Sequence, residues 1–129
     1  MKRFAKTFCV AALLSLPFAT NASAEILSGE EIRNSIIGKR IYLSIPLGGE
    51  FPLRYQNNGV VKGDGSAVGV GRFFSPKDQG RWWIKGNDLC QQWQEWYEGR
   101  TFCFKITDLR GDKFRWQRDD GRKGKARIE

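Results

Sequence analysis

Cys90 and Cys103 stand thirteen positions apart, around a turn that carries Trp93, Trp96 and Tyr97. Two thiols can form a disulfide, ligate a metal or run redox chemistry. Histidine is absent from all 129 residues, which removes the commonest general base and the commonest metal ligand. Zinc sites of Cys and His, and catalytic triads built on His, are excluded with it. A redox pair prefers a C-x-x-C spacing with a lowered thiol pKa, and that spacing is absent as well. What remains is carboxylate chemistry. Asp88, Glu95 and Glu98 lie nearest the turn, and two of them would have to act as a pair for hydrolysis of the glycosidase kind. Acids beside a hairpin turn are normally solvated, so the sequence points away from an enzyme. No catalytic residue, metal site or cofactor is expected.

The compartment decides what the thiols do. Lys2, Arg3 and Lys6 precede an apolar run from Val10 to Phe18, and Ala22-Ser23-Ala24 supplies the small residues of a cleavage site. That is the pattern of a secretory signal over residues 1–24, too short to span a bilayer, so no transmembrane anchor is expected. The mature chain would be a single domain, Glu25–Glu129, in the periplasm or secreted. Removing the signal takes three of the 22 basic residues and none of the 14 acidic ones, so the formal charge falls from +8 to +5. Cys9 leaves too. An exported chain with two remaining cysteines normally oxidises them.

Register supports the same answer. If "LCQQW" and "RTFCF" are the arms of one hairpin, pairing Cys90 with Cys103 sets Leu89 opposite Phe104, Gln91 opposite Phe102 and Gln92 opposite Thr101. The cysteines then share a face with Gln92, Thr101 and Lys105, while Leu89, Phe102, Phe104 and Ile106 fill the other. One pairing satisfies the thiols and sorts the side chains. A closed loop of this size is worth about 3 kcal/mol.

Aromatic and basic residues are the second candidate for function. Trp82, Trp83, Trp93, Trp96 and Trp116 crowd into 35 residues. Alternation assigns Trp82, Phe102, Phe104, Phe114 and Trp116 to a core, which these rings would largely fill. It leaves Trp83 beside Arg81 and Lys85, and places Trp96 and Tyr97 in the turn beside Glu95, Glu98 and Arg100. Trp83, Trp93, Trp96, Tyr97, Arg81, Arg100 and Arg115 are therefore the candidate binding residues. Further bases occur at Lys113, Arg118 and "GRKGKAR". In a cytosolic protein this interleaving would suggest nucleic acid, which export argues against. An anionic envelope component, a glycan, a small hydrophobic ligand or another protein are the partners such a surface suits.

These residues need elements to hold them. Leu27-Ser28-Gly29-Glu30-Glu31-Ile32 reads as a helix start: Ser28 and Glu31 make a capping box, with Leu27 and Ile32 as the staple. A short helix over about 29–37 is expected, laid across one mouth or side of the strands after it. "RIYLSIPL" and "FPLRY" alternate as strands, and a three-residue loop Gly48-Gly49-Glu50 would set Leu47 on Phe51, Ile45 on Leu53 and Leu43 on Tyr55. Turn signals recur at Asn58-Gly59, Gly86-Asn87-Asp88, Glu98-Gly99, Gly111-Asp112 and Asp120-Gly121. Between the later signals lie "GRWWIK", "LCQQWQEW", "TFCFKIT", "KFRWQR" and "GKARI". Residues 62–80 are too glycine-rich to assign. The fold class is mostly β: an antiparallel meander of seven or eight strands, closed as an up-and-down barrel or strongly curved, with one short helix. Arg110-Gly111-Asp112 spells an adhesion tripeptide, but a hairpin turn accounts for it.

The segment "GRWWIKGNDLCQQWQEWYEGRTFCFKI", with "GDKFRWQRDDG" after it, resembles a group of small exported bacterial domains of unknown function. They share an "L-S-G-x-E-I" helix, a "G-x-W" strand, an "L-C-x-x-W" strand and a closing "C-F" strand. The resemblance implies a secreted β-rich fold and supplies no catalytic residues. In architecture the chain is also similar to lipocalin-like barrels and to periplasmic inhibitors of lysozyme or proteases. Three functional expectations arise. The first is a non-enzymatic binding protein using the barrel mouth or exposed aromatics together with a basic face. The second is an envelope or protease inhibitor acting through the 93–100 hairpin. The third is the carboxylate-dependent hydrolase.

Overall fold

The computed structural model describes residues 9–18, 25–46, 48–66 and 76–129. A short helix, α1 (Gly29–Ser35), precedes eight strands: β1 (Arg40–Ser44), β2 (Glu50–Tyr55), β3 (Val60–Asp64), β4 (Lys77–Lys85), β5 (Asp88–Trp93), β6 (Thr101–Arg110), β7 (Lys113–Arg118) and β8 (Lys123–Ile128). Each strand pairs antiparallel with the next, and β8 returns to β1, so the sheet closes into a barrel without a free edge. The alternation read from the sequence becomes an inside and an outside. Ile41, Leu53, Val61, Leu89, Ile106, Phe114 and Ala126 are buried within.

α1 starts as its residues dictate. Ser28 Oγ accepts from the Glu31 amide and the Ser28 amide donates to Glu31 Oε1, both at 3.2 Å. Leu27 and Ile32, the staple pair, are both buried. The helix lies over one end of the barrel. Gly29 sits so close to the 86–87 turn that a Cβ there would meet Gly86 O at 2.5 Å, and its amide donates to Asn87 Oδ1. Gly38, at φ 83°, turns the chain into β1 and donates to Tyr55 O at 2.6 Å. The segment before the helix joins β6 at a bulge. Ile26 bridges to Thr107, and Asp108 there takes φ 54°.

The first hairpin differs from its expected register. Ser44 pairs with Glu50, Leu43 with Phe51 and Ile41 with Leu53, so the loop holds residues 45–49 rather than 48–50. The expected pairing of Leu47 with Phe51 involves a residue outside the described ones, and Phe51 has Leu43 instead. The same faces still coincide, because the slip is an even number of residues. Pro46 explains the longer loop: its ring suits the second position of a turn, which Gly48 N closes onto Ile45 O at 3.0 Å. Gly48 and Gly49, at φ 95° and 94°, then return the chain.

The other hairpin matches its expected register. Leu89 pairs with Phe104, Cys90 with Cys103, Gln91 with Phe102 and Gln92 with Thr101. Cys90 and Cys103 form a disulfide with Cα atoms 4.0 Å apart. It lies on the outer wall, where Cys90 is paired on its other side with Trp83. Within the unassigned stretch 62–80, β3 runs through Asp64 and β4 begins at Lys77, while residues 67–75 lie outside the described ones.

Candidate functional site

Among the described residues, the end opposite α1 is open. Its rim is built by the 45–49 loop, by the 3-10 turn Trp96–Gly99 between β5 and β6, and by the 119–122 turn. Below the rim lies a cavity of about 270 Å³. The expectation that aromatic rings would largely fill the interior is therefore corrected. Phe104 and Trp116 are half-buried wall rather than core; they meet edge to face, centroids 5.6 Å apart, and the space lies beside them. Two details of packing leave that space. Trp82 leans towards the α1 end, where its Nε1 donates to Gln56 O at 2.7 Å and Arg33 lies 5.7 Å from its ring. Trp116 lies flat against Gly124, where any Cβ would come within 2.4 Å of its ring.

The cavity wall is apolar with a few polar exceptions. Leu43, Phe51, Leu53, Leu89, Phe102 and Ile106 supply most of it. Gln91 is only 5% exposed, and Tyr55 Oη donates to its Oε1 at 2.6 Å. Burial pushes the Tyr55 hydroxyl far up, so it remains a neutral donor. With Oε1 taken, the Gln91 amide nitrogen keeps its two donors, which reach no group among the described residues. Trp116 Nε1 is also buried without a partner there. Arg118, 8% exposed, stands at the rim with its guanidinium 4.1 Å from the Phe102 ring centre. Its Nε donates to Asp120 Oδ1 at 2.8 Å and its Nη2 to Oδ2. That fork, above all, raises the Arg118 pKa and lowers the Asp120 carboxyl to about 2.

The candidate residues fall in three places. Trp93 is buried inside, Trp96 covers part of the mouth, and Tyr97 and Arg100 stand on the rim. Trp96 is half-buried, 4.6 Å from Trp93 and 5.4 Å from Phe51, and rests on Gly63, where a Cβ would meet it at 2.6 Å. Tyr97 is 48% exposed and meets Phe102 edge to face. Tyr97 and Glu98, neither a glycine, both hold φ 57°. Backbone strain of this kind, about 1–3 kcal/mol per residue, concentrates at functional sites. Trp83 and Arg81 lie on the outer wall near the disulfide, with the guanidinium 5.6 Å from the indole. Arg115 is on the outer wall of β7. The structure therefore brings Trp93, Trp96, Tyr97 and Arg100 together and separates them from the other three. Gln91, Tyr55 and Arg118 were not singled out for the site, although the expected register already set Gln91 opposite Phe102.

Asp88 holds Lys105 at 3.0 Å on the outer wall, and Glu98 is exposed on the rim. Among the described residues, no cluster of three or more metal-ligating side chains occurs. The outer wall carries a different feature. Arg40 is directly opposite Arg54, Arg54 opposite Lys62, Lys113 opposite Arg127 and Arg115 opposite Lys125. Like charges so placed are destabilising. Among the described residues, Arg127 is held by a fork to Glu50 at 2.6 and 3.0 Å, and Arg115 reaches Asp108 at 3.9 Å. An open groove of about 790 Å³ runs along part of this wall, but its acids are engaged locally, Asp64 by Lys77 and Asp78 by the Glu95 and Trp96 amides.

Comparison with protein-family models, with curated proteins and with solved structures returns no match. The reading of the site rests on its own geometry.

Proposed function

We propose that this is an exported, non-enzymatic binding protein that takes a small, mainly apolar ligand into the open end of its barrel. The observation that carries the reading is the cavity of about 270 Å³, walled by apolar side chains and opening at a strained aromatic rim. At about 30 Å³ per water it holds the equivalent of about nine waters, at the small end for ligand pockets. Export is supported by the disulfide and by the exposure of Val10, Leu13, Leu14, Leu16 and Phe18, an apolar run outside the core. The resemblance to small exported domains belongs to the same proposal. Titrating the protein with small apolar compounds while following tryptophan emission tests it, since Trp93, Trp96 and Trp116 line the space. Leu43→Trp, which fills the mouth, is expected to abolish the response without unfolding the barrel. An unchanged response in that variant would refute the calyx as the site.

The opposed basic pairs of the outer wall favour one accompanying contact. A sheet that keeps like charges face to face is suited to an anionic surface, which would hold the protein close to the envelope. Sedimentation with anionic vesicles should fall steeply with salt and disappear when Lys113, Arg115 and Lys125 are changed to Gln. Binding that ignores both changes would remove this contact from the account.

A further inference from the structure

One polar side chain deep in the cavity keeps donors without a partner among the described residues. Gln91 presents two amide donors, held in place because Tyr55 occupies the carbonyl oxygen of the same side chain. The Trp116 indole N–H also has no partner among the described residues, but it is buried against Gly124, out of reach from the cavity. A buried donor left unpaired is costly, so a ligand that supplies acceptors gains what the empty site lacks. Gln91 Oε1 already accepts the Tyr55 proton, and its second lone pair and the Tyr55 oxygen are the acceptors left beside it. Ser44 and Tyr97 also line the space, but both stand at the rim within reach of water.

Charge narrows the class further. Arg118 is the only charged residue lining the cavity among the described ones, and Asp120 neutralises it through a two-bond fork. A carboxylate entering here would find no free cation unless it displaced Asp120. An ammonium group would find no free carboxylate: none lines the cavity among the described residues, and Asp120 at the rim is held by Arg118. A charge buried without a partner is strongly disfavoured.

We infer that the cavity takes an uncharged ligand bearing a hydrogen-bond acceptor, a carbonyl compound such as a ketone, ester or lactone on a short apolar body, with the carbonyl received by the Gln91 amide. The inference rests on the calyx reading above and specifies its ligand. The space suits about nine heavy atoms at the density of liquid water, rather more if closely packed.

The test compares four probes of similar size, methyl hexyl ketone, nonane, octanoate and octylammonium, by tryptophan emission and by the shift in melting temperature. The ketone is expected to bind roughly tenfold more tightly than nonane, the scale of one satisfied buried donor, with both ions weaker than the ketone. Combining Gln91→Leu with Tyr55→Phe removes the donors and their anchor together. It should abolish most of the ketone's advantage and leave nonane affinity in place. Should that double variant fail to fold, Gln91→Met alone removes the donors and should reduce the ketone's advantage while leaving nonane affinity in place. Equal binding of nonane and ketone, or preference for octylammonium, would overturn the acceptor claim while leaving the calyx intact. Octanoate as the tightest probe would overturn the requirement for neutrality. Binding of none of the four would remove the calyx reading itself.

Discussion

The two ends of the barrel are built to opposite rules. At the α1 end most local demands are met, Asp108 at φ 54° being the exception: the capping box is complete, Gly29 and Gly38 fit the close approaches, and Ile32 and Ile36 are fully buried. Backbone donors there find partners, Leu27 N on Ile106 O at 2.8 Å and Gly38 N on Tyr55 O. At the mouth the demands are left open. Tyr97 and Glu98 hold left-handed backbone, the Gln91 amide donors have no partner among the described residues, and apolar wall surrounds unfilled space. Sites where a sequence breaks the rules that it obeys elsewhere are where function is expected. One end secures the fold, and the other is shaped for something absent from the chain.

Substitutions at the two ends should therefore separate stability from binding. Ile32→Ala at the closed end is expected to lose about 2–5 kcal/mol of unfolding free energy in urea, with ligand affinity unchanged wherever the barrel is folded. A comparable loss from Trp96→Ala, with no change in affinity, would erase the contrast. Replacing both Cys90 and Cys103 by Ala should remove about 3 kcal/mol, because the closed loop no longer restrains the unfolded chain. That clamp is on the outer wall, so affinity should again be unaffected. Ser28→Ala, which deletes the helix cap, should cost about 1 kcal/mol by the same measurement.

The smallest effect concerns acid. The Asp120 carboxyl is held below its ordinary 3.8, at about 2, chiefly by its hydrogen bond with Arg118. A lowered folded value means that its contribution is present above pH about 4 and is lost as the pH falls through about 2. The rim should thus keep its Arg118–Asp120 fork under moderately acidic conditions. Carbon-13 NMR of the Asp120 carboxyl should show a midpoint near 2, and a midpoint at the ordinary value would mean that the fork does not hold in solution.

Much of this was legible in the residues. Strict alternation gave the strands of the second half and the face of nearly every side chain, because a half-buried antiparallel sheet forces period two. The Cys90–Cys103 pairing was legible because thiol position and apolar face agree in only one register. The first hairpin was not, since any even slip keeps its faces matched, and only the turn around Pro46 chooses between them. The cavity was hidden for a different reason. Counting rings suggests a filled interior, whereas Trp116 lies flat on Gly124 and Trp82 turns towards α1, and neither orientation can be read from sequence spacing. Gln91 could have been noticed as the one amide on an otherwise apolar face. Arg118 could have been found in the same way, by its parity with Phe114 and Trp116.

A calyx that receives a neutral acceptor is best probed by titrating nitrogen-15-labelled protein with methyl hexyl ketone and watching side-chain N–H signals. Saturable shifts of the Gln91 amide are expected, while Trp83, on the outer wall, stays fixed. Shifts confined to Trp83 and the outer wall, or none at all, would contradict such a calyx.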